Sequence, residues 1–306
     1  MSFSQLLFYG LAALLLLCTA GAATSYLAMQ LQLFWAMLLA FSVVGAVLAI
    51  LFLGVIAIPR NTAVPKWRPK DSPLHLLVVF GSGGHTAEML TLLRNMDISP
   101  DKFAYRTYVV SSGDNFSATK IIQYELALHG RGARPASYVI VHVPRARRVH
   151  QSYFTAPFTT LLSFWSCLLA LCRRHPDQQC LNLPEQFVSP YPDLILTNGP
   201  ATAVCVILAA KLIRLGHFCR NFVRWSKSPS PSSVTGAKPR ADHPATDELR
   251  LRTVFVESWA RVKTLSLSGK ILLPFADRFL VQWPALGGKK AWWGEKKAEY
   301  VPGLMG

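Results

Sequence analysis

A glycine-rich loop that ends in a histidine carries the clearest sign of chemistry in this sequence. It follows the apolar run 74–80 directly and leads into a helix-like stretch. Glycines let a backbone approach a ligand closely, and the free N–H groups at a helix start favour an anion. The predicted phosphate loop consists of Gly81, Ser82, Gly83, Gly84, His85 and Thr86. An imidazole at this place can contact a phosphate or exchange a proton near neutral pH.

Two better-known phosphate loops do not fit these residues. A Walker loop needs Lys followed by Ser or Thr after its last glycine, whereas His85 and Thr86 stand here. A dinucleotide fingerprint needs a third glycine where Thr86 stands, and an acidic residue about 20 positions later. The loop could also be a tight strand-to-helix turn without a ligand, with His85 bonded only to its own loop. The sequence leaves these alternatives open.

Further candidate residues follow the other predicted strands. In an open parallel sheet, ligands bind at the edge where the strands end. Asp114 and Arg145 follow the second and third strands, and Asn198 with Gly199 follows the fourth. We predict that these residues bind a diphosphate or an acceptor. The alternatives are a helix cap for Asp114 and Asn198, and a solvated basic cluster for Arg145.

Glu257 closes an otherwise apolar strand. An unpaired carboxylate in such a place costs free energy, so Glu257 is expected to meet a partner charge or a ligand. No Asp-x-Asp motif, which would hold a metal-bound nucleotide, occurs in the sequence. The cluster Cys167, Cys172, His175 and Cys180 fits no common zinc spacing. We therefore predict free thiols and no metal site.

Short β-branched runs alternate with longer apolar-periodic ones beyond residue 73. This pattern is typical of a parallel sheet covered by helices, and it predicts an α/β fold with a single Rossmann-like domain over residues 74–286. Predicted strands cover 74–80, 106–111, 138–143, 193–197, 253–257 and 278–282, and predicted helices cover about 86–96, 115–129, 155–174, 200–215 and 265–274. Residues 176–192 and 220–250 are predicted insertions, and residues 287–306 form a tail. Because no second domain follows, another chain is expected to complete the site.

Residues 1–59 form a predicted transmembrane region. No charged residue occurs before Arg60, and the apolar stretch is long enough for one or two crossings. A cleaved signal is the alternative, but the positively charged n-region is missing. The linker 60–73 is basic, so the positive-inside rule places the following domain in the cytosol.

The formal net charge of +16 limits the classes of partner. Nucleic acid, anionic lipid headgroups or a diphosphate substrate would suit a basic surface. No basic stripe with interleaved aromatic residues and no nucleic-acid module is present, so we predict no nucleic-acid partner. A membrane anchor favours lipid or a diphosphate.

Several motifs together resemble one family. They are the loop 80–86, Thr197-Asn198-Gly199-Pro200, Val256-Glu257-Ser258, Thr264-Leu265-Ser266-Leu267-Ser268-Gly269-Lys270 and Val281-Gln282-Trp283-Pro284. In this order they resemble the membrane-anchoring subunit of the UDP-N-acetylglucosamine transferase of asparagine-linked glycosylation. The resemblance spans roughly residues 74 to 286, and the tail after Leu286 matches poorly. Ala201 and Lys263 depart from the family pattern.

The resemblance implies half of a GT-B glycosyltransferase, split between two chains. This chain would be the acceptor-side half on the cytosolic face of the endoplasmic reticulum membrane, or of the nuclear membrane continuous with it. A small soluble catalytic partner would hold most of the UDP-N-acetylglucosamine pocket, without a metal cofactor. Together they would add the second N-acetylglucosamine to dolichyl-diphosphate-N-acetylglucosamine with inversion. The preceding and following enzymes of the pathway are further candidate partners.

The resemblance also implies roles for individual residues. It places Gly83, Gly84 and His85 near the lipid diphosphate or the transferred sugar. It matches two further motifs. The motif after the second strand contains Asp114, Ser117 and Lys120, and the motif after the third strand contains Arg145, Gln151 and Ser152. His85 is the preferred catalytic base and Glu257 the second choice.

Two other functions are weighed against this one. A non-catalytic membrane recruiter would hold a catalytic partner without contributing to the reaction. A membrane-attached NAD(P)-dependent reductase or epimerase would need a full fingerprint and a Tyr-x-x-x-Lys pair, and the sequence has neither.

Overall fold

The computed structural model describes residues 3–57, 73–96, 98, 102–130, 137–147, 151–152, 154–179, 189–199, 201–227, 251–292 and 296–304. The chain divides into two compact units, Met1–Gly54 and Val55–Gly306. The predicted basic linker lies almost entirely outside the described residues.

The first unit is formed by one long helix, α1, over Phe3–Ala57. The polar residues that the sequence suggested as a break do not interrupt it. Thr24 and Ser25 donate their hydroxyls to the carbonyl of Gly21, both at 2.9 Å, so the helix itself satisfies these groups. At about 1.5 Å per residue, a helix of 55 residues exceeds one bilayer core of about 30 Å. The number of membrane crossings stays a prediction.

The second unit contains a parallel sheet with the strand order β3-β2-β1-β4-β5-β6-β7. The strands are β1 (His75–Val79), β2 (Tyr105–Ser111), β3 (Tyr138–Val143), β4 (Leu194–Asn198), β5 (Arg252–Val256), β6 (Arg278–Val281) and β7 (Glu299–Tyr300). The order of the first six strands is that of the Rossmann fold. The predicted α/β, Rossmann-like fold class is confirmed.

Helices cover both faces of this sheet. They are α2 (Gly84–Asn95), α3 (Asn115–His129), α4 (Ala156–Leu171), α5 (Ala201–Lys227) and α6 (Leu267–Leu272), with short 3-10 helices at Pro176–Gln178 and Pro284–Leu286. Successive residues of a strand point to opposite faces, so β1 supplies both cores. Leu76 and Val78 pack with α2 and α3, whereas Leu77 and Val79 pack with α4 and α5.

Among the residues that the structure describes, three helices are long and apolar enough to cross a membrane, judged by length and composition. Their apolar segments are Leu14–Ile50 in α1, Ala156–Gln178 from α4, and Ala201–Arg220 in α5. The most apolar part of α1 has no buried residues, whereas 28% of the residues in the corresponding part of the α4 segment and 50% in that of α5 are buried. The inner faces of α4 and α5 therefore serve the sheet domain, and α1 is the best candidate anchor.

The structure continues the sheet beyond the predicted domain end at residue 286. Glu299 and Tyr300 pair with Leu280 and Val281 of β6, and the amide of Val301 donates to the carbonyl of Val281 at 3.0 Å. A strand of two residues is too short for its periodicity to be read from the sequence. Helix α5 also extends to Lys227, into the predicted insertion 220–250. Residues 180–188 and 228–250 of the two insertions lie outside the described residues.

A buried ionic cluster holds the amino ends of β5 and β6 against α5. Asp277 accepts hydrogen bonds from Lys211 Nζ at 3.0 Å and from Arg214 at 2.8 Å. It also accepts one from the backbone N–H of Thr253 at 3.0 Å. Burial by itself would raise the pKa of Asp277, but the two cations hold it well below its ordinary value. We call this group the Asp277 cluster.

Candidate active site at the carboxyl edge of the sheet

The glycine-rich loop connects β1 to α2 as predicted, at the carboxyl edge of the sheet. Gly83 precedes α2 with φ 63° and ψ −121°, a backbone conformation that favours glycine. Ser82, Gly83 and Gly84 are exposed, and a Cβ added at Gly83 would meet nothing within 4 Å. Among the described residues, no side chain caps the start of α2. The space around Gly83 and Gly84, at the start of α2, is therefore open to an anion.

Thr86 braces the loop from behind, and Asp114 caps the neighbouring helix α3. Thr86 is fully buried and donates its hydroxyl to the carbonyl of Gly81 at 2.5 Å. Its oxygen also lies 2.6 Å from the hydroxyl of Ser117. Asp114 caps α3 by accepting from the backbone N–H and hydroxyl of Ser117, at 3.1 and 2.7 Å. The structure thus gives Asp114 the capping role that the sequence left as an alternative.

His85 stands in the first turn of α2, beside the end of β4. Its side chain is 35% exposed, and its Nδ1 lies 3.4 Å from Oε2 of Glu88, one turn further along the helix. Gly199, with φ 89°, lies against the same ring, closest to its Cγ, Cδ2 and Nδ1 atoms. A Cβ added there would come within 2.9 Å of His85 Cγ. Only glycine therefore leaves room for the imidazole in this position.

Glu88 joins three elements at this edge. Its Oε2 accepts a hydrogen bond from the amide of Asn198 at 2.9 Å, and its Oε1 accepts one from the hydroxyl of Ser258 at 2.7 Å. We call His85, Glu88, Asn198 and Ser258 the Glu88 cluster. The sequence analysis missed Glu88. The available signal was its spacing, because a residue three positions after His85 shares the same helix face.

The two charged members of the Glu88 cluster influence each other. The hydrogen bond to Glu88 is the largest cause that raises the pKa of His85; burial opposes it, and Asn198 and Glu257 add smaller upward contributions. Burial by itself would raise the pKa of Glu88. The hydrogen bonds from His85, Asn198 and Ser258 bring that pKa below its ordinary value. The pair therefore favours a carboxylate beside an imidazole whose pKa lies above its ordinary value.

Glu257 lies at the same edge, but its carboxylate is occupied by backbone. It is 2% exposed. Its two oxygens accept from the N–H groups of Ser258 at 3.2 Å and Ser266 at 3.1 Å. Its Oε2 also fills the space that a side chain at position 269 would need, which explains Gly269. Glu257 thus fixes the loop that enters α6 and influences His85 through its charge.

Arg145, Gln151 and Ser152 lie apart from the Glu88 cluster. They follow β3, which is separated from β1 by β2, a distance of about 10 Å across the sheet. Gln151 bonds to Thr155 and Thr159 of the following segment. No hydrogen bond or ion pair of the Arg145 side chain is found within the described part of the chain. Lys120 bonds to Gln123 on its own helix at 3.2 Å.

The structure therefore brings together some of the predicted residues and separates others. Those that meet at one place are His85, Asn198, Gly199 and Glu257, next to the exposed part of the loop, Ser82 to Gly84. A search of the described residues finds no group of three or more His, Cys, Asp or Glu that could hold a metal ion.

Fold and site together place the chain among the Rossmann-type α/β proteins that carry their ligand site at the carboxyl edge of the sheet. A family model described as "Oligosaccharide biosynthesis protein Alg14 like" matches residues 76–302. The chain belongs to this Alg14-like family. The match extends through β7 and so includes residues of the tail after Leu286, where the sequence motifs resemble the family poorly.

Curated relatives agree with this assignment. The chain is 52% identical over 229 residues to the UDP-N-acetylglucosamine transferase subunit alg14 of Aspergillus fumigatus, covering 71% of this chain and 100% of that protein. The subunit of Schizosaccharomyces pombe is 37% identical over 262 residues, covering 85% and 96%. The Homo sapiens subunit is 34% identical over 247 residues, covering 80% and 90%. No solved structure matches the chain.

Proposed function

We propose that this chain is the membrane-anchoring, acceptor-side subunit of a heteromeric UDP-N-acetylglucosaminyltransferase. The complex adds the second N-acetylglucosamine to dolichyl-diphosphate-N-acetylglucosamine. The chain recruits a small soluble catalytic partner to the cytosolic face of the endoplasmic reticulum membrane and is inactive alone. The preceding and following enzymes of the pathway are further candidate partners.

The observation that carries this proposal is the extent of the family match. It covers residues 76–302 of the second unit, from β1 to the residues just after β7, including every residue of the Glu88 cluster. The relatives named above are themselves called subunits of a UDP-N-acetylglucosamine transferase. A subunit of a transferase acts with other chains, and the open carboxyl edge of this single sheet suits a site completed by a partner.

The anchor in this proposal is α1, whose apolar window has no buried residues. The exposed glycine loop and the start of α2 would receive the diphosphate of the acceptor, because backbone N–H groups and a helix dipole favour an anion. No metal is invoked. The departing UDP would then be stabilised mainly by hydrogen-bond donors of the partner, because the partner binds the UDP-N-acetylglucosamine.

Within this proposal His85 is the base for the acceptor hydroxyl. The hydroxyl oxygen bonds to the anomeric carbon of the donor sugar, and the bond from that carbon to the UDP oxygen breaks. The electron pair leaves with UDP, while the hydroxyl proton moves to Nε2 of His85. A raised pKa makes the imidazole a stronger base for this step.

The experiment is transfer of labelled N-acetylglucosamine from UDP to dolichyl-diphosphate-N-acetylglucosamine. It is run with the full chain alone and with its soluble partner. We expect activity only with the partner. Activity of the chain alone would place the donor pocket in this chain, and no activity of an intact complex would refute the proposal.

The variant His85→Ala separates a catalytic subunit from a pure recruiter. Loss of a general base lowers the rate by roughly 10²- to 10⁴-fold, and we expect this loss with partner binding intact. Normal transfer by His85→Ala would support the recruiter. The matched control is His142→Ala, which removes an exposed histidine in contact with Asp177 and should leave transfer unchanged.

A further inference from the structure

Glu88 holds a place in the site that neither the sequence motifs nor the family name assign. It stands one helical turn after His85, and its side chain is only 17% exposed. Most of this carboxylate side chain is therefore shielded from solvent. Here both carboxylate oxygens contact polar groups from three different segments. These groups are His85 at the start of α2, Asn198 at the end of β4 and Ser258 just after β5.

We propose that Glu88 is the positioning residue of His85, forming a Glu–His pair in which the carboxylate accepts the Nδ1–H of the imidazole and leaves Nε2 directed toward the acceptor hydroxyl. This inference rests on the proposed function above. The same division of labour operates in serine hydrolases, where an acidic residue fixes the tautomer of the catalytic histidine and stabilises the imidazolium that forms.

Two contacts of the imidazole ring support this arrangement. Glu88 lies 3.4 Å from Nδ1, and the backbone at Gly199 closes the space beside Cγ. A contact of 3.4 Å is longer than most hydrogen bonds, as is common for catalytic pairs in sites without substrate. The amide of Asn198 and the hydroxyl of Ser258 occupy two further lone pairs of the carboxylate, one on each oxygen, so its direction is fixed.

The charges around the pair act in the same sense. Glu88 on α2 and Glu257 after β5 are the charged groups that act on His85, and both raise its pKa. An imidazolium formed at Nε2 during the reaction is therefore stabilised by two carboxylates. In the proton transfer, Glu88 stays ionised and takes no proton itself.

The test is the variant Glu88→Gln in the full chain with its partner. Initial rates are measured over about pH 5 to 9, with UDP-N-acetylglucosamine saturating and the acceptor varied. The amide is the same size but carries no charge, and its NH₂ can force the wrong tautomer on His85. We expect kcat to fall roughly 10²- to 10⁴-fold, with a smaller change in KM for the acceptor.

The pH profile distinguishes positioning from folding. A base works only when unprotonated, so the wild-type rate falls on the acid side as pH drops through the raised pKa of His85. Removing the carboxylate lowers that pKa, and the acid limb of Glu88→Gln should move to lower pH. A uniform loss at every pH would assign Glu88 a merely structural role. Displacement of the alkaline limb instead would mean that His85 acts as a cation, and either result overturns the proposal.

Two further variants keep the test decisive. If Glu88→Gln does not assemble with the partner, Glu88→Asp takes its place. Its shorter carboxylate should lower kcat and move the acid limb of the pH profile part of the way. An acid limb that does not move overturns the proposal.

Asp177→Asn is the matched control, because Asp177 also lies beside histidines, 3.5 Å from His142 and 3.6 Å from His175. It should leave kcat and the limb unchanged. Failure of the wild type to transfer sugar would refute the proposed function rather than the role of Glu88.

Discussion

The Asp277 cluster and the Glu88 cluster are each built around one carboxylate, yet the basic side chains that contact these carboxylates differ in their exposure to solvent. Asp277 is 1% exposed, and the two cations and backbone groups around it are buried with it. In the Glu88 cluster, the His85 side chain is 35% exposed. Its Nδ1 contacts the carboxylate, and Nε2 is the second ring nitrogen, which does not take part in that contact. The first arrangement is closed, and the second is open on one side.

The position of each cluster explains this difference. Asp277 lies at the amino edge of β5 and β6, where it connects the strands to α5. Glu88 lies at the carboxyl edge, where helices begin and the backbone leaves N–H groups free. A buried charge that is fully satisfied contributes to folding, whereas a satisfied carboxylate beside a partly exposed base can direct chemistry. Changes at the amino edge should therefore affect stability, and changes at the carboxyl edge should affect turnover.

Asp277→Ala should give the largest effect on stability. It leaves Lys211 and Arg214 buried without their common carboxylate, which costs about 3 to 5 kcal/mol in comparable clusters. We expect the melting temperature of the full chain in detergent to fall by roughly 10 °C or more. A variant that melts normally but transfers sugar slowly would contradict the division between the two edges.

Acid should weaken the Asp277 cluster in a predictable direction. Because the pKa of Asp277 is lowered in the folded chain, its stabilisation is fully present above the ordinary pKa of about 3.8 and is lost as pH falls further. Thermal melts between about pH 6 and pH 3 should show a steeper loss for the wild type than for Asp277→Asn, which has no titrating group at this position. Equal slopes would mean that Asp277 does not carry this dependence.

Gly199→Ala should reduce turnover more than stability. The new Cβ would lie 2.9 Å from His85 Cγ and must move the ring, and φ 89° adds strain of about 1 to 2 kcal/mol. We expect kcat to fall roughly 10- to 100-fold through misplacement of His85. Gly216→Ala is the control, since a Cβ at this helical glycine of α5 meets nothing within 4 Å. Unchanged turnover in Gly199→Ala would show that His85 needs no fixed position.

Asp114→Ala should give the smallest effect and tests whether location at the carboxyl edge alone makes a residue functional. Loss of the cap on α3 costs about 1 kcal/mol, or a few degrees in melting temperature. KM for the acceptor should stay unchanged, and Asp114→Asn should restore stability because asparagine also caps helices. A large rise in KM in both variants would mean that Asp114 contacts the ligand.

Much of this molecule could be predicted from local sequence patterns. The strands and helices of the sheet domain follow from alternating β-branched and helix-periodic runs, because the spacing of apolar residues in each run records which faces of the element are buried. The loop from Gly81 to Thr86 was recognisable because a close approach to an anion needs glycine. β7 was not predicted, since its two residues gain their strand conformation only from pairing with β6.

The sequence by itself determined the class of fold, the apolar N-terminal segment, the glycine loop and the candidate His85. Only the tertiary structure decided that Glu88 belongs to the site, because its partners Asn198 and Ser258 stand 110 and 170 positions away in the chain. It also decided that Asp114 caps a helix and that Glu257 fixes a loop. Sequence patterns record which backbone a segment prefers, whereas the role of a polar side chain depends on the groups that distant segments bring to it.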